Sequence, residues 1–186
     1  MKKFIGRLFF KILGWKFDVT VPLNEIPKCV MVAAPHTSNS DFFYAIFAFW
    51  YLKLPFRFFI KDRYTKTWYG FIFRSLGAIG VDRSQRQNLV NHAVDLLNNS
   101  PRMYLLNTPE GTRSRVEKWK TGFYYIAQKA DVPILLAYCD YSKKMAGIGK
   151  IVERKGKTKE AVLEEIQEYY KFVKGKHPEN YNPKIY

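Results

Sequence analysis

The sequence predicts an α/β domain, a central sheet flanked by helices. Three observations carry that prediction. Short apolar runs recur at 30–34, 56–60, 103–106 and 133–138. Stretches with helical apolar spacing separate them, and such alternation builds sheets covered by helices. The length of 186 residues suits one domain with a sizeable core, and an apolar share of 47% with 17% aromatics argues against disorder.

Residues 1–17 read as an amphipathic helix. Lys3, Arg7 and Lys11 fall on one stripe, while Phe4, Ile5, Leu8, Phe9, Ile12, Leu13 and Trp15 cover most of the rest. An interfacial membrane helix has this pattern, and so does a helix docked on the core with a basic outer face. Each basic residue near an anionic leaflet contributes about 1 kcal/mol, so Lys2, Lys3, Arg7, Lys11 and Lys16 tilt the reading toward the membrane.

Residues 18–186 make the domain proper. A strand near 28–34 leads through a polar turn into a helix near 41–52. A strand at 56–61, a helix at 65–76 and a short strand at 78–81 follow. Ser84 with Gln87 three residues on forms a capping box for the next helix, which Asn98-Asn99-Ser100-Pro101 ends. A strand near 102–106 enters a second polar loop, and a helix near 121–130 and a strand at 133–138 complete the sheet. The basic, glycine-containing stretch 140–157 carries no assignment. A last helix spans 159–174, with Thr158 as N-cap and Gly175 as the residue past its end, before an irregular tail.

Lys and Arg number 31 against 16 Asp and Glu, a formal charge of +15. That excess points to an anionic partner: nucleic acid, an anionic membrane or phosphorylated substrates. Cys29 and Cys139 lie in apolar sequence without metal-ligand spacing, so they read as reduced, buried thiols in a chain that faces the cytosol. No segment reaches the roughly 18–20 apolar residues of a spanning helix. Arg7, Lys11 and Lys16 also interrupt any signal-peptide core.

Two polar segments stand where buried strands should end: His36-Thr37-Ser38-Asn39-Ser40-Asp41 and Pro109-Glu110-Gly111-Thr112-Arg113-Ser114. Ligand-handling loops of α/β proteins lie at such ends. Fully extended, the gap from His36 to Asp41 spans roughly 17 Å. On one continuous helix the two side chains would diverge by about 140°. A turn followed by a helix start brings Asp41 back onto the His36 ring, and Thr37, Ser38, Asn39 and Ser40 are turn and cap residues. Such a dyad fixes the tautomer and leaves the other ring nitrogen as a general base. The alternative is a histidine closing a strand and an aspartate capping a helix.

In the second segment Gly111 permits a positive φ, Arg113 offers bidentate recognition of phosphate, and Glu110 either orders the loop or accepts from a substrate hydroxyl. A third segment, Gly80-Val81-Asp82-Arg83-Ser84, places Arg83 after a strand and near a helix start, where it is either an anion site or a cation paired with Asp82 or solvated. Ser38, Ser40 and Ser114 lack the Gly-x-Ser-x-Gly setting of a hydrolase nucleophile and read as turn residues. Lys118 and Lys120 are either phosphate-reaching cations or a solvated loop. The aromatic run from Phe42 to Tyr51 is either an acyl tunnel wall or core.

Taken in order, His-x4-Asp, Gly-x-Asp-Arg, Pro-Glu-Gly-Thr-Arg-Ser and Val132-Pro133-Ile134 resemble the four blocks of the glycerolipid acyltransferases, of which the lysophosphatidic acid acyltransferases are the best known. The resemblance covers roughly 28–140. It implies the glycerol-3-phosphate acyltransferase-like fold, a central mixed β-sheet flanked by helices behind the N-terminal amphipathic helix. It implies His36 as the base that deprotonates the acceptor hydroxyl, with Asp41 as its partner. Arg83 and Arg113 are implied as contacts to an acceptor phosphate, with Glu110, Gly111 and Thr112 beside them. Acyl-CoA or acyl-carrier protein is the implied donor, a lysolipid the acceptor, and no metal or other cofactor is needed. The implied place is the cytoplasmic face of the membrane, peripheral or monotopic.

The chain departs from the family pattern in three ways. Asn107-Thr108 precede Pro109 where an apolar pair ending in Phe is usual, no second proline follows Pro133-Ile134, and the N-terminal hydrophobic segments reduce to one basic helix. These departures open the acceptor to lyso-aminolipids as well as lysophosphatidate. Two other functions compete: a non-enzymatic basic module for lipid or nucleic acid, and a hydrolase using the same dyad. The aromatics sit within apolar periodic segments rather than between Lys and Arg on one strand, which disfavours nucleic acid.

Overall fold

The computed structural model describes residues 1–82 and 86–185, without the side chains of 86–88. Among them the strands are β1 (Lys16–Val19), β2 (Lys28–Ala33), β3 (Phe56–Lys61), β4 (Ala78–Val81), β5 (Met103–Asn107), β6 (Ile134–Asp140) and β7 (Met145–Val152). The helices are α1 (Lys2–Ile12), α2 (Ser40–Leu52), α3 (Asp62–Thr65), α4 (Gly70–Ser75), α5 (Arg86–Asn98), α6 (Gly122–Lys129) and α7 (Lys159–Tyr170), with a 3-10 turn at Pro178–Asn180.

The strands form one sheet in the order β1-β7-β6-β2-β5-β3-β4. β6, β2, β5, β3 and β4 run parallel; β7 pairs antiparallel with β6, and β1 joins β7 in parallel, so the sheet is mixed. The reversal at β7 follows from the short link after β6, since a parallel return needs a crossover of a dozen or more residues.

β2 is buried on both faces, as the centre of such a sheet must be. Val30 and Val32 join one cluster with Leu105, Ile134, Leu136, Phe123 of α6 and Ile166 of α7. Cys29 and Met31 face the other cluster with Tyr104, Leu135, and Ile46 and Phe49 of α2. Each such side chain contributes about 1.5–3 kcal/mol when fully withdrawn from water. α1 lies outside α2, where Phe9 stacks on Phe47 with ring centroids 4.0 Å apart.

β3 and β4 occupy the predicted ranges, and β2, α2, β5, α6 and β6 match within two residues. Elsewhere the structure differs. The helix expected over 1–17 stops at Ile12; the chain turns through Gly14, and Lys16 starts a strand. The helix expected over 65–76 is two short helices, α3 and α4. Thr65 spends its hydroxyl on the Asp62 carbonyl, and β-branched Thr65 and Thr67 disfavour continuation. α7 is capped by Thr158, whose hydroxyl accepts from the Ala161 amide, but it ends at Tyr170, short of Gly175. The unassigned stretch 140–157 contains β7, whose two glycines lower strand propensity. The expected capping box at Ser84 lies outside the described residues.

Candidate active site

Register places the site. Val32 of β2 pairs with Asn107 of β5, and Ala33 pairs with Ala137 of β6. Three chain segments therefore leave the carboxyl edge of the sheet side by side: 34–39 after β2, 108–121 after β5 and 141–144 after β6. Ligands of open α/β sheets bind at this edge.

His36 lies in the first segment and Asp41 in the first turn of α2. The His36 Nδ1 stands 3.2 Å from Asp41 Oδ2. The same oxygen accepts the Thr37 and Ser38 amides, each at 2.9 Å. One carboxylate thus closes the turn and holds the ring. With the proton on Nδ1 facing the carboxylate, Nε2 carries the free lone pair. The ring is not turned into the core: the side chain keeps 23% of its surface in solvent.

The C-terminal chain braces this turn. The Thr37 hydroxyl accepts the His177 amide at 3.2 Å, and Lys176 Nζ donates to Ser40 Oγ at 2.9 Å. Gly175 sits so close that a Cβ there would stand 2.6 Å from Thr37 Oγ1, which explains a glycine outside any helix end. Ser38 and Ser40 bond each other, and among the described residues no serine hydroxyl bonds the His36 ring. A serine-nucleophile arrangement is therefore absent from those residues.

Glu110 is 5% exposed, and its carboxylate accepts the His36 backbone N–H at 2.8 Å. Of the two roles left open by the sequence, its contacts fit loop ordering. Burial pushes its pKa up to about 8; the His36 N–H opposes the rise and the Asp41 charge adds to it. Gly111 has φ +69, and a side chain there would be strained and would meet Lys120 Nζ at 2.6 Å. Thr112 and Arg113 are exposed. Thr112 accepts the Ser114 amide, and Arg113 reaches back to donate to the Asn39 side-chain carbonyl.

The structure thus brings His36, Asp41, Glu110, Gly111, Thr112 and Arg113 into two touching loops. Arg83 lies outside the described residues. Trp119 is buried, its indole N–H bonded to the Asn182 carbonyl at 2.7 Å, so it serves packing. Among the described residues no cluster of three His, Cys, Asp or Glu side chains is grouped to hold a metal ion. Sequence reading missed Tyr141, whose hydroxyl donates to Asp41 Oδ1 at 2.7 Å. The only available signal was its place just after a strand, and that strand's position beside β2 is visible only in the sheet.

A family model described as Acyltransferase matches residues 19–139, which include both loops. Among solved structures, the chain is similar to the 1-acyl-sn-glycerophosphate (LPA) acyltransferase PlsC from Thermotoga maritima. The TM-score is 0.59 at 21% identity, over 94% of this chain and 79% of that one, a likeness of fold. No curated protein matches the sequence.

Proposed function

The chain belongs to the acyltransferase family, and on that premise we propose a membrane-associated O-acyltransferase that acylates the hydroxyl of a lysophosphatidate-like lysophospholipid. The donor is an acyl thioester, of coenzyme A or of acyl-carrier protein. The observation that carries this reading is the His36–Asp41 pair, 3.2 Å apart at the carboxyl edge, with Nε2 free of hydrogen bonds among the described residues.

His36 Nε2 takes the proton of the acceptor hydroxyl as its oxygen attacks the thioester carbonyl. Asp41 stabilises the imidazolium that forms. Collapse of the tetrahedral intermediate breaks the carbon–sulfur bond. The departing thiolate recovers the proton from His36, so the enzyme ends as it began without a metal. Glu110 keeps the His36 backbone in place from the neighbouring loop. Arg113, exposed in that same loop, binds the acceptor phosphate, with Arg83 as a second contact.

Support for membrane contact comes from α1. It docks on α2 through Gly6, Phe9 and Phe10 yet leaves Phe4 69% and Ile12 73% exposed beside Lys3, Arg7 and Lys11. Such a face suits the interface of an anionic leaflet, on the cytoplasmic side. Among the described residues no helix is long and apolar enough to cross a membrane.

Mass spectrometry of lipids formed from acyl-CoA or acyl-carrier protein with a panel of lyso-acceptors tests the proposal. Diacyl product from lysophosphatidate is expected. Product only from lyso-aminolipids would replace the acceptor, and free fatty acid formed equally with and without acceptor would replace transfer by hydrolysis.

A further inference from the structure

The mechanism above uses one oxygen of Asp41; the other is also held. Tyr141, one residue beyond β6, donates its hydroxyl to Asp41 Oδ1 at 2.7 Å. Its backbone N–H is fixed to the Lys174 carbonyl at 2.9 Å. Its ring stands edge-on to Trp15, with centroids 4.9 Å apart, and to Tyr44 of α2, at 5.6 Å. Phenylalanine would satisfy both ring contacts, so packing does not account for the hydroxyl.

The hydroxyl does something the two loop amides cannot. Thr37 and Ser38 bond only Oδ2, which leaves the carboxylate free to pivot about that oxygen. A donor on Oδ1 fixes its plane and draws off part of its charge. We propose that Tyr141 is a positioning residue for acyl transfer: it locks the Asp41 carboxylate so that Oδ2 faces His36 Nδ1, and it tempers the pull of Asp41 on the imidazolium. This rests on the reading of His36 as base. Burial, and then the hydrogen bond to Asp41, hold the phenol protonated well above the usual tyrosine range, so it stays a donor.

Other titratable groups face the pair: Glu110 on the His36 amide, Tyr44 and Cys139 near Asp41, Lys176 on Ser40, His177 on Thr37 and Arg113 on Asn39. Among the described residues, Tyr141 is the hydrogen-bond donor to Oδ1.

The test is Tyr141→Phe, with Tyr44→Phe as the comparison, since Tyr44 belongs to the same aromatic cluster without bonding Asp41. Removing the donor concentrates charge on Asp41, so the imidazolium is held more strongly and the acid limb of kcat/KM moves to higher pH. A kcat lowered roughly tenfold with KM unchanged is expected, the scale of one hydrogen bond to a charged group. The same shift should appear in the His36 imidazole NMR titration of Tyr141→Phe and not of Tyr44→Phe. Parent kcat and parent acid limb in Tyr141→Phe would overturn the proposal. A lowered kcat with an unmoved limb and an unmoved His36 signal would also overturn it. Undiminished turnover by His36→Ala would remove the base reading instead, and the imidazole titration would still decide the link from Tyr141 to Asp41.

Discussion

The two loops at the carboxyl edge are built to different standards. The turn carrying His36 and Asp41 is tied from every side: two of its own amides and Tyr141 bond Asp41, Glu110 bonds the His36 amide, and the C-terminal chain bonds Thr37 and Ser40. The outer half of the 109–114 loop is exposed, and among the described residues Arg113 makes its side-chain hydrogen bond to Asn39. Proton transfer needs a fixed ring, and such pre-organisation lowers the barrier. Recognition of a headgroup tolerates an adjustable cation that closes on the ligand. The inner turn is therefore where substitutions should strike kcat, and the outer loop is where they should strike KM.

Asp41→Ala is the strongest challenge to that division short of the base itself. It frees the His36 ring and orphans two amides, and kcat should fall roughly 10²–10⁴ with little change in KM. A large rise in KM with kcat preserved would blur the two regions. Replacing Lys3, Arg7 and Lys11 together by Gln should weaken binding to anionic vesicles up to about 100-fold at low salt, read by co-sedimentation. Equal binding by parent and triple variant would remove α1 from the membrane reading. Arg113→Ala should raise KM for a phosphate-bearing acceptor roughly tenfold and leave kcat nearly intact, the pattern of lost ground-state binding.

Glu110 predicts the subtlest effect. Folding raises its pKa from 4.5 to about 8, so its contribution to stability is full below the lower value and is lost as pH rises through the upper one. Glu110→Gln keeps an acceptor for the His36 amide and removes the titration. Between about pH 5 and about pH 9 the parent melting temperature should drop more than that of the variant. Parallel melting curves for the two proteins would show that burial of Glu110 carries no such cost.

Where neighbours in sequence decide the structure, the chain was readable. The apolar run before His36 and the turn residues after it announced a strand end and a helix start, and Asp41 folds back as that geometry requires. The acyltransferase blocks likewise lie in one linear order. What escaped depends on partners distant in sequence. Lys16–Val19 is a strand because β7 lies beside it, and β7 is a strand in spite of its glycines because β6 precedes it through a short reversal. Glu110 and Tyr141 converge on the dyad because β5 and β6 flank β2, an order that no local pattern encodes. Gly175 read as a helix stop, whereas close contact with Thr37 is what it provides.

The most direct measurement compares acyl transfer to a lysolipid acceptor by the parent and by His36→Ala, with melting curves confirming that both are folded. Loss of the general base should lower kcat roughly 10²–10⁴-fold while thioester and acceptor still bind. A folded His36→Ala enzyme that turns over at the parent rate would contradict the account at its centre.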